Sequence, residues 1–202
     1  NSFDEFGYNT RSEVTGSERF AGTDVNDMSI PLSGNDYAYD FDNIGNRISF
    51  TENTITTNYS SNELNQYTQV DSDNLTYDLD GNMTSNGVKQ FTWNDENRLI
   101  FVEPLIAASG DKRVRFIYDY RGRRVQKLVE EFDGTNWNET SQERFVYDDW
   151  NLILVLDGQN SNTVDKMYTW GLDLSNTMQG AGGVGGLLGA DFDPANAGGH
   201  HS

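Results

Sequence analysis

The sequence predicts an all-β fold, a succession of antiparallel β-hairpins joined edge to edge in one curved, spiralling, extended sheet. Three observations point there. Aromatic residues reach 12% while all hydrophobic residues make up only 35%, a pairing that suits thin β-structure and not a disordered acidic tail, which lacks aromatics to bury. Twenty Gly stand against three Pro, in a chain rich in the Asn, Asp, Thr and Ser that build turns. Aromatic and polar residues alternate with period two, plainly so in Val114-Arg115-Phe116-Ile117-Tyr118 and Arg144-Phe145-Val146-Tyr147.

Along the chain one degenerate unit recurs: an aromatic, an acidic or polar residue, a short gap, then Gly or Asn and a basic residue. Phe3-Asp4-Glu5-Phe6-Gly7-Tyr8-Asn9 reads as a first, cut copy. Tyr39-Asp40-Phe41-Asp42-Asn43-Ile44-Gly45-Asn46-Arg47 and Tyr77-Asp78-Leu79-Asp80-Gly81-Asn82-Met83 are clearer. Phe91-Thr92-Trp93-Asn94-Asp95-Glu96-Asn97-Arg98-Leu99 and Tyr118-Asp119-Tyr120-Arg121-Gly122-Arg123-Arg124 follow. Tyr147-Asp148-Asp149-Trp150-Asn151-Leu152 puts Asn where the Gly sits. Each unit is expected to be a strand, then a turn in which Gly or Asn takes positive φ, then a second strand. Tyr39, Tyr77, Tyr118 and Tyr147 should then hold equivalent positions before turns containing Gly45, Gly81 and Gly122. Glu13 to Phe20 and Ser60 to Tyr67 are read as short turns of helix without a sustained apolar stripe. Asp133-Gly134-Thr135-Asn136-Trp137-Asn138 reads as a hairpin tip. At Gly180 the composition shifts, dividing the chain into a repeat region, residues 1–179, and a Gly-rich segment with a polar tail, residues 180–202.

Charge narrows the function. The net charge is −18, which repels phosphate backbones and anionic membranes, so nucleic-acid binding and membrane insertion are not expected. No apolar run approaches membrane-spanning length. With no Cys there is no disulfide framework and no thiolate metal site. The chain opens at Asn1 with no secretory leader pattern, so it is expected to be an internal piece of a longer protein.

These copies resemble the YD-repeat, or RHS-repeat, family, whose unit runs Tyr-Asp-x-x-Gly-Arg-Leu. The likeness covers Phe3 to Leu188. Its most specific part is Tyr168-Thr169-Trp170-Gly171-Leu172-Asp173-Leu174 followed by the Gly180 to Leu188 run, which is similar to the stretch entering the RHS-associated core of bacterial members. The resemblance implies a β-ribbon wound into a hollow shell on a secreted or cell-surface protein. In bacterial toxins such a shell encloses a C-terminal toxin domain, and in animal relatives it serves adhesion. The core motif of the family is not matched, and Asp193-Pro194 is too isolated to stand in for it, so no self-cleavage residues carry over.

Chemical motifs fail one by one. Gly180-x-Gly182-x-x-Gly185 spells a dinucleotide fingerprint but lacks the strand, helix and distant acid that give it meaning. Asp78-x-Asp80-x-Asn82 begins like an EF-hand, yet Met83 and Lys89 stand where Gly and Glu are required. A looser calcium site at Asp40, Asp42, Asp78 and Asp80 is the one cofactor left open. No carboxylate pair stands out among 32 acids, and the only His, His200 and His201, lie beside each other at the chain end. The expected role is therefore structural and not enzymatic: a section of an extracellular shell, partnered through sheet edges by a parent chain or further copies. The alternatives are an adhesive or carbohydrate-binding surface module and a subunit of an extracellular fibre. Trp137, in its polar tip, is the candidate glycan contact, and Asn58, Asn74, Asn82 and Asn138 form glycan-acceptor triplets.

Overall fold

The computed structural model describes residues 1–192. Its strands, in order, are β1 (Ser2–Tyr8), β2 (Val14–Ala21), β3 (Tyr37–Phe41), β4 (Arg47–Glu52), β5 (Ile55–Ser61), β6 (Tyr67–Val70), β7 (Asp73–Asn74), β8 (Thr76–Tyr77), β9 (Met83–Ser85), β10 (Lys89–Trp93), β11 (Leu99–Pro104), β12 (Lys112–Tyr118), β13 (Arg124–Phe132), β14 (Trp137–Asp148), β15 (Asn151–Asp157), β16 (Thr163–Trp170) and β17 (Leu187–Asp191). The described residues contain no helix. Glu13 to Phe20 falls mostly in β2, and Ser60 to Tyr67 is a turn between β5 and β6, so both helical expectations are corrected. β-Branched and aromatic residues paired across the sheet outweigh the weak helical propensity of these segments.

The described residues form two compact units, one of residues 1–78 with 85–87, the other of residues 79–84 with 88–192. In the first unit β1 to β7 lie side by side in chain order, and in the second β9 to β17 do the same. The registered pairs are antiparallel neighbours in sequence. Alternate residues face opposite sides, as β16 shows with strict alternation of exposed and half-buried positions. The cores are thin. Among the described apolar side chains only Phe20 and Val155 are enclosed, at 5% and 2% exposure. Most other strand residues are half-buried, so cross-strand pairs carry much of the stabilisation. Phe3 on Phe20 at 5.7 Å and Tyr39 on Phe50 at 5.3 Å are such pairs.

One hairpin design repeats. Tyr8 faces Val14, Phe41 faces Arg47, Ser61 faces Tyr67, Trp93 faces Leu99, Tyr118 faces Arg124, Tyr147 faces Leu152 and Trp170 faces Leu187. In each case the register then slips by one residue, a β-bulge at Thr15, Ile48, Thr68, Ile100, Val125, Ile153 and Leu188. A bulge sharpens local twist and re-aims the side chain beside it. Here it sits beside the residue that enters the turn, an aromatic in every case but Ser61.

β17 lies in the Gly-rich segment and was not foreseen. It pairs with β16, matching Tyr168 to Ala190, so the strand containing Tyr168 is covered on that side. Within the described residues the seven-stranded sheet ends at β1 and β7 and the ten-stranded sheet at β8 and β17. The polar tail, with Asp193-Pro194, His200 and His201, lies outside the described residues.

Candidate functional site

Every second turn falls on the same side of the strands, and there the sequence motif acquires its geometry. Its first residue is Asn or Asp, because a short side-chain oxygen can accept from the amides two and four residues on. Asp119 Oδ1 accepts from the Arg121 amide and the Arg123 amide, each at 2.9 Å. Asn9, Asp42, Asn62 and Asn94 repeat that pair of bonds. Three residues on, the backbone enters positive φ: 64° at Ser12, 95° at Gly45, 61° at Asn65, 58° at Asn97 and 83° at Gly122. Gly81 does likewise at 87°.

This geometry shifts the sequence alignment at three places. Phe41-Asp42, and not Tyr39-Asp40, hold the positions of Tyr118-Asp119, while Tyr39 packs two residues earlier on Phe50 and Arg47. Asp40 accepts from the Phe41 amide. The first copy starts at Tyr8-Asn9, since Phe3 to Gly7 run inside β1. Tyr147-Asp148 enters a tighter turn, in which Asp148 faces Asn151 and Asp149 takes a φ of 52°. The Asn62 turn escaped sequence reading because Ser61 precedes it where an aromatic is expected. Its available signal was the Asn-x-x-Asn spacing.

Neighbouring turns are fastened to each other. Tyr118 Oη donates to the Leu99 carbonyl at 2.8 Å, Tyr147 Oη to the Arg124 carbonyl at 2.9 Å and Tyr77 Oη to the Tyr67 carbonyl at 2.9 Å. Trp93 and Trp170 do the same through Nε1, to the carbonyls of Met83 and Leu152 at 2.8 and 2.7 Å. The acceptor is the first strand residue after the preceding turn, or for Trp170 the second, Leu152 of β15. Phe41 has no group that can donate, and there the Arg47 amide donates instead to Tyr67 Oη. The basic residue closing one turn reaches the next: Arg98 lies over the Tyr118 ring, Arg123 lies over Tyr147 and Arg123 Nη1 donates to the Asp149 carbonyl. Gly122 leaves room for this, because a Cβ there would stand 2.9 Å from Arg98 Nη2.

Asp173 organises the Gly-rich segment. Nearly enclosed at 5% exposure, its carboxylate accepts from Ser175 Oγ, the Ser175 amide, the Ala181 amide and the Gly183 amide. These bonds, led by the Ser175 hydroxyl, lower its pKa to about 2. The apparent dinucleotide fingerprint thus belongs to a tight loop in which Gly182, Gly183 and Gly185 take φ of 66°, 79° and 79°.

Elsewhere too the charges fasten strands. Glu130 is held below its ordinary pKa by the Arg113 hydrogen bonds. For Glu143, burial pushes upward, but Lys127 and Lys166 outweigh it and the net shift is down. Burial likewise raises Asp119, and the Arg123 and amide bonds overcome it. Burial raises the phenols of Tyr77 and Tyr147. No cluster of three or more potential metal-ligating residues occurs among the described residues, and Asp42 spends its carboxylate on the Ile44 and Asn46 amides and on Asn46 Nδ2. Trp137 starts β14, lying 5.1 Å from Phe132 with Arg113 4.6 Å over its ring, so it is a strand residue and not part of a free tip. A groove of about 780 Å³ opens between the Asn94 and Asp119 turns, with Phe101, Arg115, Ile117 and Tyr120 among its walls.

The sequence matches the model of the family described as Teneurin YD-shell over residues 22–151. The chain belongs to this family. The chain is also similar to "tRNA3(Ser)-specific nuclease WapA" of Bacillus spizizenii, 33% identical over 139 residues, which cover 66% of this chain and 5% of the relative. "tRNA nuclease WapA" of Bacillus subtilis is 32% identical over the same shares. The chain therefore spans about a twentieth of these curated relatives. Among solved structures, the Photorhabdus luminescens Tc holotoxin pore is similar at 18% identity and a TM-score of 0.33, over 83% of this chain and 12% of that one.

Proposed function

We propose that this chain is a wall section of the β-shell of a larger secreted or cell-surface YD-repeat protein, structural in role, and that the shell encloses or displays a toxin domain carried elsewhere in the same polypeptide. The observation that carries the reading is the series of ring-to-carbonyl bonds by which Tyr77, Trp93, Tyr118, Tyr147 and Trp170 tie their hairpins to the preceding turn. It invests the motif residues in joining neighbours and gives a wall strength along its length. The carboxylate shifts run away from neutrality, the direction expected of fasteners and opposite to that of a general acid or base working near pH 7. The WapA relatives, named as nucleases, supply the toxin half of the proposal. Within the wall, residues 1–179 would be the repeat region and residues from 180 a distinct closing segment.

Limited proteolysis of the natural full-length product tests this. The expected result is a resistant repeat region that protects the domain it surrounds. Deleting the repeat region without altering the protease sensitivity of the rest would sink the proposal. A second reading, assembly through sheet edges, has its own support in the exposed Phe6 and Tyr8 of β1.

A further inference from the structure

The four tryptophans divide into two kinds. Trp93 and Trp170 are committed through their indole N–H groups, and Trp137 lies between Phe132 and Arg113. Trp150 differs. It sits in the Asp148 turn at 53% exposure, and Arg121 lies over its ring at 5.3 Å to the centroid. Arg121 also pairs with Asp149 at 2.5 Å, and Arg123 bonds the Asp149 carbonyl, so the Asp119 and Asp148 turns are locked together. On the first of them stands Tyr120, 90% exposed. An aromatic left in solvent on a turn braced by an ion pair gains nothing for folding. Carried on a braced turn, it offers a flat amphipathic face with few side-chain torsions to order on binding.

We propose that Tyr120 and Trp150 form a stacking platform for a neutral glycan. With strands about 4.8 Å apart, same-edge turns two strands removed lie about 10 Å apart, close to the length of a disaccharide. Each ring would take the apolar face of one sugar, while Asp149 and Arg121 beside them offer acceptors and donors for hydroxyls. Tyr120 also borders the groove that opens toward the Asn94 turn, so a longer chain has a path onward past Arg98 and Arg115. The net charge of −18 selects against sulfated, phosphorylated or uronic-acid polymers, which leaves uncharged hexose or N-acetylhexosamine chains. The platform replaces Trp137 as the glycan contact and is independent of the shell reading, so either can fail alone.

The test is calorimetric titration of the 202-residue chain with chitohexaose, laminarihexaose and maltohexaose, alongside affinity electrophoresis in the corresponding polysaccharides. Binding to at least one neutral oligosaccharide is expected. Trp150→Ala and Tyr120→Ala should each weaken it about tenfold or more at unchanged thermal stability, Trp150→Phe should keep most of it, and Trp137→Ala should matter little. No binding at millimolar sugar overturns the proposal. So does binding that survives Trp150→Ala but is lost on Trp137→Ala, or a platform that captures a protein partner and no sugar.

Discussion

The phenol of Tyr118 shows why the repeat favours tyrosine or tryptophan over phenylalanine before the turn. The ring fills space between hairpins, but its hydroxyl also reaches the Leu99 carbonyl. Tyr118→Phe keeps the ring and removes one bond, so it should cost about 1 kcal/mol in denaturant unfolding. Tyr118→Ala removes a half-buried ring as well and should cost about 3 kcal/mol. No loss on Tyr118→Phe would show that the hydroxyl contributes nothing, and equal losses for the two variants would show that the ring adds nothing to it. Gly122 combines two demands, a φ of 83° and the nearness of Arg98. Gly122→Ala should therefore destabilise by more than the roughly 1 kcal/mol of backbone strain alone, and adding Arg98→Ala should recover part of the loss in a double-mutant cycle. A strictly additive pair would remove the steric half of that account. At this scale the sequence announced most of its pattern: aromatic, Asx, Gly and Arg were visible at fixed spacing. What it hid was the register at Tyr39, where a tyrosine two residues early imitates the motif, and the equivalence of Trp93 and Trp170 with tyrosine, which rests on what a donor reaches in space.

At the scale of elements, the Gly-rich loop and β17 form a unit around Asp173. Composition marked Gly180 to Leu188 as unusual but gave no reason to expect a strand, because the cause lies in bonds from residues 175–183 back to one carboxylate. Helix readings at Glu13 and Ser60 failed for a related reason, since hairpin pairing decides weak local preferences. Asp173→Asn keeps the shape but substitutes an amide that accepts less strongly and adds donors of its own, so the loop should loosen. Faster amide exchange at Ala181 and Gly183 would report it. The wild-type loop carries a pH signature of definite sign. Folding lowers the Asp173 pKa from 3.8 to about 2, so the folded state gains stability while the carboxylate is ionised above the unfolded value. That contribution declines as pH falls from about 4 towards 2. Amide protection at Ala181 and Gly183 should fall in this window and be flat above pH 5. Protection that instead rises on acidification would contradict the role given to the carboxylate.

On the scale of the whole molecule, an acidic chain meets its own cations mostly as cross-links: Arg113 to Glu130, Lys127 and Lys166 to Glu143, Arg121 to Asp149. The excess negative charge then faces solvent and any second copy. The edge strands β1 and β17 differ in how they resist pairing. β1 carries Asp4 and Glu5, the first bound by Arg19 at 2.7 Å, beside exposed Phe6 and Tyr8. β17 presents Leu187 at 49% and Leu188 at 70% exposure with no charge before Asp191. An apolar edge strand without lysine or proline is a template for another strand, and what opposes it here is long-range repulsion between chains of net charge −18. Screening falls within about 10 Å at 0.1 M salt and about 3 Å at 1 M. Self-association of the 202-residue chain should therefore be weak at low ionic strength and grow with salt, the reverse of an interface built on ion pairs. Leu188→Lys should suppress it by placing a charge on the edge, whereas Glu5→Lys on β1 should leave assembly through β17 intact. Sedimentation velocity across a salt series decides the matter: a monomer at every salt concentration, or an oligomer that dissociates as salt rises, would show that β17 is not the adhesive edge.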